Sequence, residues 1–203
     1  YIREDRLKDF RDKTWKAISY LEDGLNPGFL IELTQDMLEY PRATAKVIAK
    51  LAEKNYVGPL PILGIIWEAM ESGWESYMLS GAVACGMLDE IVDSDAKIVL
   101  TLQRLINSED TSVKLLPDLI NALGAVGHED IERSAEVILP YLNSTNEHEK
   151  FVTISALGGL GYSGAVDDSG QTFVEYCLSI FRESSSLYLL PAATALSNLK
   201  NAA

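Results

Sequence analysis

The residues whose types and spacing could do chemistry are few, and each belongs to a recognisable class. Gly159-Leu160-Gly161-Tyr162-Ser163-Gly164 satisfies G-x-G-x-x-G, the loop that cradles a dinucleotide pyrophosphate. That task needs a strand before the loop and a helix directly after it, so that free helix N–H groups meet the phosphate. Here Lys150–Leu157 reads as a helix, and the chain then enters a loop holding Asp167-Asp168, whose carboxylates repel a pyrophosphate. A helix C-terminus followed by a turn accounts better for the glycines. His128, ahead of Glu129-Asp130, and His148, between Glu147 and Glu149, lack the i+4 histidine or nearby cysteine of a zinc site. Asp167-Asp168-Ser169-Gly170 offers oxygen ligands without the spacing or closing Glu of an EF-hand loop. Cys85 and Cys177 lie in apolar helical stripes and read as core thiols, not nucleophiles. The sequence therefore gives no catalytic residue, no cofactor site and no metal site to expect.

One stretch points to recognition instead. Trp67-Glu68-Ala69-Met70-Glu71-Ser72-Gly73 runs directly into Trp74-Glu75-Ser76-Tyr77-Met78-Leu79-Ser80-Gly81. Aromatic and Met side chains are enriched where proteins bind one another, and glutamates suit a basic partner. Trp and Met at helical spacing also serve as core, so both readings stand; Trp74, beside the turn at Gly73, is the ring expected to face outward.

The elements that must position these residues are helices. Period-2 alternation and Asn-Gly or Asp-Gly turns are lacking, whereas helical spacing recurs throughout. Leu7, Phe10, Ala17, Ile18 and Leu21 share one face of a first helix. Asn26-Pro27 starts a second helix, and Pro41 ends it and opens a third. Further helices are expected at about 59–72, 75–91, 94–107, 111–126, 129–143, 147–160, 170–184 and 186–200, with Ser94 and Ser186 suited to cap two of them.

Within these helices a short string repeats. Ala84-Cys85-Gly86-Met87-Leu88, Ala122-Leu123-Gly124-Ala125-Val126 and Ala156-Leu157-Gly158-Gly159-Leu160 align, and Ala195-Leu196-Ser197-Asn198-Leu199 follows with Ser in place of Gly. Their third positions are 38, 34 and 39 residues apart. A small residue at a fixed place lets the helix of the next pair approach closely. These strings at this period resemble HEAT or armadillo-like repeats. The resemblance implies a right-handed, all-α solenoid of about five stacked antiparallel helix pairs. It covers residues 76–203 more clearly than 1–75, which read as divergent N-terminal helices of the same single domain, 1–203. The Asp and Arg ladders frequent in HEAT repeats are reduced: Lys150 stands near the Arg position, and Leu116 occupies it one repeat earlier.

Charge narrows the partner. Seventeen basic against 30 acidic side chains give a net charge of −13. That opposes a nucleic-acid binder, because duplex affinity rests on neutralising phosphates. The first 23 residues are neutral, with six of each sign, so the acidity belongs to the rest of the chain. It gathers at Glu68, Glu71 and Glu75, at Asp89, Glu90, Asp93 and Asp95, at Glu129, Asp130 and Glu132, and at Asp167-Asp168. The last three groups are expected between the two helices of a pair, forming an acidic ridge that either solvates helix N-termini or steers a basic partner. Arg42, Lys46, Lys50 and Lys54 form the one basic stripe, matched by Glu32, Asp36 and Glu39 or open to an acidic partner.

No apolar run approaches the roughly 20 residues of a membrane span, and two cysteines make no disulfide framework, so a reducing cytoplasm is expected. Tyr1 stands where an initiator Met would, which leaves a removed leader open. The function expected is non-catalytic binding of another protein, concretely an acidic inhibitor or immunity-type protein that neutralises a basic toxin or nuclease. Glu68, Glu71, Trp74, Glu75, Asp89, Glu90 and Asp93 would face that partner. The alternatives are an adaptor or assembly factor, or an enzyme or enzyme subunit on the same scaffold. For the last of these, the resemblance to HEAT-like proteins suggests chromophore attachment or DNA-base processing. The chain is expected to be a monomer or a weak homo-oligomer, the latter through an end-helix face with Leu187, Leu190, Ala193 and Leu196.

Overall fold

The computed structural model describes residues 59–88, 95–182 and 187–202. Among them every regular element is helical, and the one β-type contact is an isolated bridge between Ala165 and Thr172. The basic stripe from Arg42 to Lys54, its acidic counterparts, and the capping serines Ser94 and Ser186 lie outside the described residues. The chain divides into two compact units, Tyr1–Leu88 and Asp89–Ala203.

In the first unit, α1 (Pro59–Glu71) and α2 (Glu75–Met87) form a hairpin. Pro59 and Pro61 fall in the first turn of α1, where the N–H they lack has no intrahelical partner anyway. The two helices close on each other at Gly81: a Cβ there would lie 2.8 Å from Met70 Cγ and 3.0 Å from the Ile66 carbonyl. Ile66, Met70, Ala82, Ala84 and Cys85 are buried in this unit.

The second unit begins with α3 (Ala96–Ile106), whose N-cap is Asp95: its carboxylate accepts from the N–H groups of Lys97 at 2.9 Å and Ile98 at 3.1 Å. Ile98, Leu102, Leu105 and Ile106 repeat at helical spacing and are buried. After a hydrogen-bonded turn at 112–115 comes α4 (Leu116–Val126), shorter than the periodicity alone predicts because Pro117 fixes its start. Next are a 3-10 turn (His128–Asp130) and α5 (Ile131–Ile138), capped by Asp130, which accepts from the Arg133 N–H. Pro140 cannot continue α5, and the chain tightens into a second 3-10 turn, Leu139–Asn143. The Tyr141 hydroxyl within it donates to the Ile106 carbonyl at 3.1 Å and seals the end of α3.

Asn146 caps α6 (Glu147–Leu160) by accepting from the His148 N–H. Two side chains, Ser144 Oγ at 2.6 Å and Asn146 Nδ2 at 2.9 Å, donate to the buried Glu149 carboxylate. The helix ends at Gly161, which is left-handed at φ 73°, and the Tyr162 N–H donates back to the Leu157 carbonyl at 3.0 Å. Thus the second glycine of the G-x-G-x-x-G pattern is a helix terminator. The third, Gly164, lies under the Tyr162 ring, where a Cβ would come within 2.7 Å of Cζ. The pair α7 (Phe173–Arg182) and α8 (Leu189–Ala202) completes the unit. Thr172 and Glu175 cap α7 reciprocally: the Glu175 carboxylate accepts from the Thr172 N–H and hydroxyl, and the Glu175 N–H donates to Thr172 Oγ1.

Packing follows the string repeat. α6 is central, with α4 on one side and α8 on the other. Gly124 of α4 meets Ala156 of α6, and Gly158 of α6 meets Ala195 of α8. The outer helices pair with them as α3 with α4, α5 with α6 and α7 with α8. This phase corrects the sequence expectation for the acidic clusters. Glu129 and Asp130 lie between α4 and α5, and Asp167 and Asp168 between α6 and α7, so both groups sit in connections between pairs, not inside them. The reason is that the string Ala-Leu-Gly closes the second helix of a pair, and its glycine serves the next pair's second helix. No helix among the described residues is long and apolar enough to cross a membrane.

Candidate functional site

The turn between α1 and α2 is built tightly from three residues. Ser72 Oγ donates to the Ala69 carbonyl at 2.8 Å and accepts from the Trp74 N–H at 3.2 Å. Gly73 takes φ 71°, a left-handed angle that glycine adopts without penalty. Trp74 then serves as the N-cap residue of α2: its carbonyl accepts from the Met78 N–H at 2.9 Å. These bonds fix the Trp74 backbone and leave its indole outside, 67% exposed. The other half of the aromatic and Met cluster goes inward: Met70 is core and Trp67 half-buried. Local structure thus divides the stretch between packing and display.

Glu68, Glu71 and Glu75 are exposed around this turn. Glu75 opens α2, where the helix dipole favours a carboxylate. Glu68 and Glu71 occupy the last turn of α1, the end at which the same dipole disfavours negative charge by roughly 0.3–1 kcal/mol each. The N-terminal position therefore accounts for Glu75. Asp89, Glu90 and Asp93, the remaining expected partner-facing residues, lie outside the described residues.

The acidic residues of the second unit behave differently. Asp130 caps α5, and Glu129 stands in the same turn. Asp167 Oδ1 accepts from Ser169 Oγ at 2.6 Å, from the Ser169 N–H at 2.9 Å and from the Gln171 N–H at 3.2 Å. These bonds, the Ser169 hydroxyl first, hold its carboxyl below the usual range. Burial raises the Tyr162 hydroxyl, and the negative charges of Glu132 and Glu136 raise it further, which places the acidic face of α5 toward the 161–172 connection. Several carboxylates of this rim therefore have structural work close by.

His128 and His148 are exposed at helix starts. Cys85 and Cys177 are buried and in no disulfide, and burial pushes the Cys177 thiol up to about 11. Among the described residues no group of three His, Cys, Asp or Glu side chains could hold a metal ion. An open depression of about 480 Å³ runs beside α7, lined by Ser169, Gln171, Glu175, Leu178 and Arg182 among others. Its Glu175 is committed to the α7 cap, and Ser179 Oγ, also lining it, donates to the Tyr176 carbonyl at 2.8 Å.

Of the apolar residues read from the sequence along 187–196, Leu187, Leu190 and Ala193 are exposed and Leu196 half-buried. Leu178 and Phe181 of α7, both 44% exposed, add to the exposed apolar surface of this terminal pair. They escaped the sequence reading because they follow Cys177 and Ile180, each one position on from a core residue, and periodicity alone cannot divide so apolar a helix. Searched against protein-family models and against curated proteins, the chain matches none.

Proposed function

We propose that this chain is a non-catalytic protein-binding module that takes a basic partner at the Trp74 turn. The observation that carries the reading is an indole 67% exposed on a hydrogen-bonded turn, with Glu68, Glu71 and Glu75 exposed around it. A large rigid ring gives contact area at little entropic cost, and exposed carboxylates around it suit a basic partner. We extend the reading to the architecture: a right-handed solenoid of about five helix pairs, similar to HEAT repeats. The Gly124–Ala156 and Gly158–Ala195 contacts between successive pairs support it. A solenoid offers an extended surface suited to wrapping a partner. An acidic inhibitor or immunity-type protein acting in the cytoplasm on a basic toxin or nuclease fits this surface, as does an adaptor or assembly factor.

The test is retention of lysate proteins on the immobilised chain, eluted by a salt step and compared with two variants. A single basic protein released by salt, retained less by Trp74→Ala and by the triple variant Glu68→Gln, Glu71→Gln, Glu75→Gln, supports the reading. Equal retention by wild type and both variants overturns the assignment to this turn.

A further inference from the structure

We propose that the contact between α3 and α5 is an opening seam of the second unit: the two helices part and reclose while α4 and α6 stay joined, so successive helix pairs pivot about the Gly124–Ala156 contact. A buried polar group with unmet bonding sits at this seam. Gln103 of α3 is 5% exposed, and its Oε1 is the one buried side-chain oxygen or nitrogen among the described residues without a hydrogen-bond partner. Its Nε2 donates to Ser134 Oγ of α5 at 3.4 Å, beyond the usual range of such bonds. Ser134 is fully buried, and its hydroxyl proton is already given to the Gly127 carbonyl at 3.2 Å, so it can only accept from Gln103. A buried amide carbonyl without a donor keeps the penalty of its lost hydration. Parting the helices breaks one long bond and brings water to both ends of the amide. Ser134 keeps Gly127 throughout, since both belong to the stretch that leads into and forms α5. Most buried hydrogen bonds oppose separation of the elements they join, whereas the Gln103 amide favours it.

Packing sets the pivot. α4 and α6 run against each other and touch backbone to backbone at Gly124 and Ala156, a spacing that leaves no room to slide. α3 and α5 meet over only a few residues. The lesser contact therefore opens before the greater one. One well-formed bond crosses near its end: the Tyr141 hydroxyl, in the turn after α5, donates to the Ile106 carbonyl at 3.1 Å. It ties the C-terminal end of α3, so the helices spread most toward their N-termini. With the α4–α6 contact fixed, spreading α3 from α5 bends the unit toward the α4 and α6 side. The unit changes curvature in this way without unfolding a helix.

Thiol labelling of the full chain under native conditions tests the seam. A reporter, Ser134→Cys, is placed in a chain with Cys85→Ala and Cys177→Ala, and its labelling rate is followed from zero urea to the unfolding midpoint. The rate should be nearly independent of urea at low concentration, because a local opening exposes little surface, and should rise steeply only near global unfolding. Adding Gln103→Met, of similar length and without the amide, should slow the low-urea labelling about tenfold. In the otherwise native chain, which carries no reporter, Gln103→Met should leave the urea midpoint equal or higher. Labelling that follows the slope of global unfolding from zero urea overturns the proposal, since the seam then stays shut in the folded chain. So does a low-urea rate that Gln103→Met leaves unchanged. A clear fall in the midpoint with Gln103→Met overturns it as well, by showing that the closed fold holds the amide fully bonded.

Discussion

Gly124 and Ala156 touch backbone to backbone: a Cβ added at Gly124 would lie 2.5 Å from both Cα and Cβ of Ala156. The relation recurs one pair later, where a Cβ at Gly158 would lie 2.4 Å from Ala195 Cβ and 2.5 Å from its Cα. In each case the third position of one string meets the first position of the next. Gly159 adds to the first contact, since a Cβ there would come within 2.8 Å of the Gly124 carbonyl. The repeat in the sequence is thus the imprint of a helix-on-helix spacing too short for any side chain.

This spacing predicts which glycines resist substitution. Gly124→Ala and Gly158→Ala should each destabilise the chain by about 1–3 kcal/mol, because the methyl meets backbone atoms that cannot move aside alone. Gly64, in α1, has nothing within 4 Å of an added Cβ, and Gly64→Ala should stabilise by roughly 0.4–1 kcal/mol through reduced freedom of the unfolded chain. Urea unfolding midpoints at constant m-value separate the two outcomes, and a destabilising Gly64→Ala would count against this account.

How much of this was legible follows from range. The all-helical class and most helix positions are written in local periodicity, and the close-packed glycines in a string repeated at near-constant separation. The phase of the pairs is not local. Nothing between residues 122 and 131 states that Gly124 serves Ala156, some thirty positions on, so local pattern alone places the acidic turns inside the pairs and the fold places them between pairs. The 3-10 turn at Leu139–Asn143 was hidden by an apolar pattern that continues through it, though Pro140 is its visible cause. At the candidate site, Gly73 announced the turn and so the exposure of Trp74. The inward course of Met70 depends on its partner Gly81, which only the fold brings close.

The buried thiols give a second prediction. Burial pushes Cys177 up to about 11, so it presents no thiolate near neutral pH, and Cys85 is fully buried away from a reagent. A thiol-reactive dye should label neither in the native chain at pH 8 and both in denaturant. Rapid native labelling of Cys177 would show that α7 opens readily.

The acid response has a definite sign. Hydrogen bonds from the Ser169 hydroxyl and the backbone beyond it lower Asp167, and those from the Thr172 N–H and hydroxyl lower Glu175. A carboxylate whose folded pKa is depressed is protonated more readily in the unfolded chain. Its contribution is therefore present above the unfolded value, near 4, and is lost as pH falls through the folded one. The melting temperature should decline from about pH 5 downward, and Asp167→Asn or Glu175→Gln should flatten that decline. A variant whose decline matches wild type would remove its carboxylate from the account.

At the Trp74 turn, ring and carboxylates should separate in kinetics once a basic partner is in hand. Trp74→Ala removes contact area in a desolvated centre, so it should raise the dissociation rate by about 30-fold, the equivalent of ~2 kcal/mol, at low and high salt alike. Neutralising Glu68, Glu71 and Glu75 removes steering, so it should lower the association rate several-fold at low salt and leave it unchanged at high salt. The two effects read different physics from residues one turn apart, and stopped-flow binding at two ionic strengths resolves them. If the triple variant instead dissociates faster at every salt concentration, the carboxylates are paired inside the interface and act as contacts. If neither variant changes either rate, the partner binds elsewhere and the exposed indole has some other cause.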